Sequence, residues 1–115
     1  PTPAVANMAA TSANSKLTRR FDVAIHRSQY AKCDGAELRI DAKGVRGSRC
    51  RDLDFDLDWS QVTGLCYDYG FRGTVTFQAG SEQHTVSLTT PIEAKKVVDT
   101  VRTVRPTLIA TECPR

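Results

Sequence analysis

Asp52, Asp54, Asp56 and Asp58 alternate with Leu53, Phe55, Leu57 and Trp59 in the middle of this 115-residue chain. On an extended strand, side chains two apart share a face at about 7 Å, so such a run could invite a divalent cation. The usual calcium loop requires glycine directly after the third aspartate and a closing glutamate, and the chain has Trp59 and Leu65 there. The run therefore reads as the solvent face of a half-buried strand. Its charge discourages edge pairing and can engage Arg39, Arg46 or Arg72.

Other chemistry would have to come from His26, His84, a serine or cysteine and an aspartate. No spacing links these residues, and the chain has no G-x-S-x-G, no phosphate-binding glycine loop and no H-E-x-x-H. The reading is of a chain that is not an enzyme and uses no cofactor. His84 has the parity of Val86 and Leu88 and is expected to be a partly buried structural residue, whereas His26 has the parity of a solvent face. Cys33, Cys50, Cys66 and Cys113 form no CxxC pair, so no zinc site is expected. Their even number allows two disulfides in an oxidising compartment, with three connectivities open.

Residues 1–18 mix Pro, Ala, Ser, Asn and Thr without a sustained period and read as a leader or linker, followed by one domain over 19–115. Phe21, Val23 and Ile25 alternate with Asp22, Ala24 and His26 as a first strand. Leu38 and Ile40 mark a second. The turn at 41–44, with Gly44 expected at positive φ, leads to a third strand at Val45. The aspartate run is the fourth. Leu65, Tyr67 and Tyr69, then Val75 and Phe77, then His84, Val86 and Leu88 mark three more.

The period then lengthens to 3.6 across Ala94, Val97, Val98, Val101 and Val104, predicting a helix over about 91–105. Thr90 is placed to cap it, Pro91 suits its first turn, Glu93 completes a capping box and Pro106 ends it. A short tail follows, in which Cys113 has no catalytic role, while Cys66 is expected to be a small side chain on a partly covered strand face.

With 40% hydrophobic and 25% charged residues the composition is globular, and no apolar stretch approaches the roughly 20 residues of a membrane span. A net charge of +3 is too small to point to nucleic acid. Localisation turns on the cysteines: the reading leans to the cytoplasm, and to export if they are paired.

Seven short strands, a break near Asp58–Val62 and one closing helix resemble the pleckstrin-homology-like superfold in its uncharacterised bacterial form. The resemblance is carried by Ala36-Glu37-Leu38-Arg39-Ile40, by Gly44-Val45, and by Leu53 to Trp59 running into Ser60-Gln61-Val62, with Gln61 where an acidic residue is common. It implies an orthogonal sandwich or partly open barrel of antiparallel strands, with Val97, Val101 and Val104 packed on Phe55, Leu57, Val75 and Phe77.

It also implies that the loops after strands 1, 3 and 6 gather at the end away from the helix. Lys32, Arg46, Arg49 and Arg51 would meet there as an anion site, and Cys33 and Cys50 would be the pair to form a disulfide. The function expected is a non-catalytic binding or scaffolding module within a larger bacterial protein, taking a protein or peptide partner. The alternatives are anionic lipid headgroups bound by those four cations, or a small molecule held inside the barrel.

Overall fold

The computed structural model describes residues 17–28, 30–70 and 72–114. The leader expected over 1–18 lies almost wholly outside them. Eight strands and one helix follow in the order β1 (Thr18–His26), β2 (Lys32–Asp41), β3 (Gly44–Ser48), β4 (Phe55–Asp58), β5 (Gly64–Asp68), β6 (Thr74–Ala79), β7 (Glu82–Ser87), α1 (Pro91–Val104) and β8 (Ala110–Glu112). The protein is mainly β with one helix near the C-terminus, as the alternating apolar pattern predicts.

All eight strands belong to one sheet, ordered β4-β3-β2-β1-β7-β6-β5-β8. Every adjacent pair is antiparallel except β5 and β8. The sheet buries its single apolar face by curling. The Phe55 ring on β4 lies 4.8 Å from His84 on β7 and 6.5 Å from Phe77 on β6. In a flat sheet β4 and β7, four strand spacings apart, would be separated by roughly 19 Å.

The curl does not close. The end strands β4 and β8 do not pair with each other, so the barrel allowed by the sequence reading is corrected to an open sheet. Helix α1 seals the apolar interior by burying Ala94, Val97, Val98 and Val101, with Val104 half-buried. It lies mainly against β6, β2 and β5. Phe55, expected beneath the helix, stacks on His84.

The helix ends follow local chemistry. Thr90 Oγ1 accepts the Glu93 N–H at 3.2 Å and Pro91 occupies the first turn. Glu93 does not complete the expected box; its carboxylate accepts from Lys96 at 3.1 Å. An i, i+3 ion pair competes with the reach back to the cap.

The turn at 41–44 forms, but its glycine acts differently from expectation. Gly44 does not have positive φ. Asp41 Oδ1 accepts the N–H groups of Lys43 and Gly44 at 2.9 and 3.1 Å, making an Asx-type turn. Glycine is needed because a Cβ at position 44 would run into the Leu57 carbonyl oxygen on β4. Trp59 then locks the corner, its Nε1–H donating to the Asp41 carbonyl at 2.8 Å and its amide to that of Lys43 at 3.1 Å.

The break after β4 is a 3-10 turn over Trp59–Gln61, closed by a reciprocal cap between Asp58 and Gln61. Gln61, the residue that departs from the acidic pattern, supplies half of that cap.

The expected C-terminal tail is an edge strand. β8 runs parallel to β5, with Leu65, Cys66 and Tyr67 opposite Ala110, Thr111 and Glu112. A disulfide joins Cys66 to Cys113 across this pair. The sequence left the connectivity of the cysteines open and placed Cys113 in a tail; a cysteine seven residues after a helix-ending proline carries no signal of the strand it will join.

Gly44→Ala is expected to destabilise the fold by about 3 kcal/mol through overpacking at the β3–β4 contact, read as a lower urea midpoint of Trp59 fluorescence with an unchanged slope. Replacing Cys66 and Cys113 together by serine is expected to cost about 4 kcal/mol from the longer loop released in the unfolded chain. Calorimetry under non-reducing conditions tests this, and an unchanged Tm would refute it.

Candidate binding surface at the loop end

The strongest local irregularity in the sheet is a bulge between β1 and β2. Val23 pairs with Ala36 while Ile25 pairs with Cys33, so Ala24 stands against both Asp34 and Gly35. Gly35 takes φ +75°, the left-handed conformation that suits glycine in a bulge. The extra residue reverses the parity of the strand. Ala36, Leu38 and Ile40 face the core from even positions, whereas Cys33, beyond the bulge, packs against it from an odd one. Cys33 thereby meets Cys50 in a disulfide with Cα atoms 5.9 Å apart.

That bond sits beside three of the four cations assigned to the anion site. Lys32 precedes Cys33, and Arg49 and Arg51 flank Cys50. Both arginines hold left-handed backbone, at φ 75° and 52°, which costs non-glycine residues roughly 1–2 kcal/mol each. The loop is clamped against this strain. Asp54 Oδ1 accepts the Cys50 N–H at 2.6 Å, the Leu53 and Asp54 amides close a 3-10 turn over Arg51–Leu53, and Arg27 from the β1–β2 loop donates to the Asp52 carbonyl at 2.6 Å.

The fourth cation is elsewhere. Arg46 lies mid-strand on β3, opposite Arg39 and Asp56, and forms an ion pair with Asp56 at 2.9 Å. Lys32 pairs with Asp34 at 3.5 Å and Arg49 with Glu37 at 3.6 Å, both long and solvent-exposed enough to be worth a fraction of a kcal/mol. Arg51 has no ion pair among the described residues.

The aspartate run does not form one carboxylate face, because β4 covers only its second half. Asp52 lies in the 3-10 turn, Asp54 caps the Cys50 amide, Asp56 meets Arg46 and Asp58 caps the next turn. Among the described residues no three potential metal ligands gather.

Beneath the loops a cavity of about 460 Å³ is lined by Ile25, His26, Arg27, Leu53, Glu82, Gln83 and His84. Loops after β1, β3 and β6 thus share one mouth. Tyr30, at the tip of the first loop, is 89% exposed. His84 is largely buried, stacked on Phe55, and its Nε2 is buried without a hydrogen-bond partner among the described residues. Glu82 Oε2 stands 3.5 Å from it without a hydrogen bond, an ion pair only when the ring is protonated.

His26, expected on the solvent face, is half-buried and bonded through Nε2 to Ser87 Oγ at 2.6 Å. The antiparallel register that sets Ala24 against Ser87 makes His26 the diagonal neighbour of that serine. Sequence spacing, with the two residues on distant strands, carries no trace of this pair. Burial, with help from Lys32 and against Asp34, holds the His26 pKa below its ordinary value.

Sequence reasoning also missed Arg27, whose tether to Asp52 exists only because two loops meet. It missed the stacked pair Tyr67 and Tyr69, with ring centres 4.5 Å apart and Lys95 over the outer ring. No family model matches this chain, and no curated protein matches it.

Stability is expected to fall as pH drops through about 6.5, because the unfolded chain takes up a proton on His26 before the folded one does; the loss levels off below the depressed folded pKa. Urea titrations from pH 7.5 to about 4.5 on wild type and His26→Gln check this, and a slope that survives in the variant would assign it to another group.

Proposed function

We propose that this chain is a non-catalytic binding module of pleckstrin-homology-like shape that docks a polypeptide partner through its loop end in an oxidising compartment. The observation that carries the reading is the pair of strained arginines, Arg49 and Arg51, held around a cystine beside the exposed Tyr30. Strained backbone persists only where surrounding structure enforces it, and such sites concentrate where ligands bind. Tyrosine and arginine are also the residue types that dominate protein–protein hot spots, and a cross-linked loop presents them with little ordering cost.

The fold label is supported by the strand order β4-β3-β2-β1-β7-β6-β5, the turn after β4 and the helix α1 behind the sheet. The oxidising compartment is supported by the pairing of all four cysteines.

Anionic lipid is the weaker reading on charge grounds. Lys32, Arg46 and Arg49 each face a carboxylate of this chain, and Asp34, Asp52 and Glu82 stand at or beside the same mouth. Each would oppose an anionic surface over a Debye length. A small molecule inside the curl has little room, since Phe55, Phe77, Trp59 and the helix valines fill it.

A photo-cross-linking residue in place of Tyr30 is expected to trap one protein adduct in extracts of the producing cell, and Arg49→Glu with Arg51→Glu is expected to abolish it. In parallel, anionic liposomes at physiological salt should leave the wild-type domain in the supernatant. Sedimentation with the liposomes that the double variant loses would replace the polypeptide reading with the lipid one.

A further inference from the structure

We propose that the free edge of β1 is a second docking site, which accepts an extended polypeptide strand carrying an acidic side chain at one end and an apolar one at its centre. This goes beyond the loop-end reading and stands without it.

The argument begins with backbone pairing. β1 pairs with β2 along its whole length, from Thr18 opposite Asp41 to His26 opposite Lys32. On its other side it meets β7 only through Ala24, Ile25 and His26. Beyond Ser87 the chain leaves the sheet, the Leu88 amide bonding to the Gly73 carbonyl on the way to α1. Thr18 to Val23 therefore have no second partner strand among the described residues. In an antiparallel ladder alternate residues turn both backbone groups to the same side, so this stretch offers about three N–H and three C=O groups to a newcomer. An extended backbone matches that spacing, and strand addition is an established way of supplying one in place of water.

Room exists along the same edge. On the inner side a groove of about 380 Å³ lies between Leu17, just before β1, with Arg19 and Phe21 of the strand, and Lys96, Asp99, Thr100 and Thr103 of α1. Thr100 and Thr103 donate their hydroxyls back to the Lys96 and Asp99 carbonyls at 2.7 and 2.9 Å. Their own polar demand is met within the helix. Partly buried Leu17 and Phe21 give the groove apolar surface. On the outer side a cavity of about 500 Å³ opens where β1 and β7 diverge, bordered by Asp22, Ala24, Ser87 and Thr89.

Charge selects the occupant. Arg19 has no ion pair among the described residues, whereas Arg20 shares Glu37 with Arg49, Lys96 is held by Glu93 at 3.1 Å, and Asp99 is the carboxylate that lines the groove. Arg19 is thus the cation at the Thr18 end that a guest carboxylate would meet. A guest strand would place a carboxylate beside Arg19 and an apolar side chain over Phe21, with alternate residues pointing out to solvent.

The test uses the full chain, labelled with nitrogen-15, titrated with a panel of capped hexapeptides that alternate valine with threonine and bear glutamate or lysine at either end. The expected result is saturable shifts confined to residues 18–23 and 96–103, slower exchange of alternate amides between Thr18 and Val23, and preference for a terminal glutamate. Arg19→Glu should weaken the glutamate peptide by about fivefold. N-methylation of alternate peptide amides should abolish binding, which a purely side-chain contact would survive. Absence of shifts with every peptide, or shifts confined to the loops at 27–34 and 49–54, would overturn the proposal, the latter while leaving the loop-end reading intact. A dimeric free protein with these amides already protected would also overturn it, assigning the edge to a second copy.

Discussion

One sheet with one apolar face must hide that face, and in this protein the hiding is done by curvature. Eight strands bend until Phe55 at one end of the order touches His84 and Phe77 near the other, and α1 seals what remains. Everything else inherits this geometry. Because the curl brings the loops after β1, β3 and β6 to one mouth, Arg27 can tie itself to Asp52 and the cavity beneath can exist. Because the sheet stays open, among the described residues β4 and β8 remain edges and β1 is left half paired where β7 departs for the helix.

The two disulfides hold the curled sheet at its weak places. One joins the bulged start of β2 to the strained loop before β4, and the other fixes a three-residue parallel strand to β5. Short parallel pairing contributes little by itself, and left-handed arginines cost energy outright. In a chain of this size the core offers a small margin, so cross-links at strained or thinly paired segments let the domain keep features that a core alone would not hold.

The charged residues show how local roles displace a collective one. Four aspartates that alternate in sequence separate in space into a turn residue, an amide cap, an ion-pair partner and a helix-type cap. Four cations expected together divide three to one, because Arg46 sits within the ladder while Lys32, Arg49 and Arg51 adjoin the cystine. The outward row formed by Arg20, Arg39 and Arg46 is balanced by Glu37, Asp41 and Asp56. An ordered lattice of exposed pairs of this kind favours solubility more than stability.

Periodicity alone determined the strands centred on Phe21–Ile25, Leu38–Ile40, Phe55–Leu57, Val75–Phe77 and His84–Val86, and the helix with its Thr90 cap and its stop before Pro106. Those signals are local: alternation, a capping hydroxyl and a proline act within a few residues of themselves. Only the tertiary structure decided that the sheet stays open, that β8 exists, that Cys66 finds Cys113, that Gly44 is required by the approach of Leu57, and that His26 meets Ser87. Each of these depends on which strand lies beside which, and a one-residue bulge at Gly35 was enough to reverse the facing of Cys33. Register and curvature are properties of the assembled sheet, set by the competition of many side chains for one interior, and no single stretch of sequence encodes them.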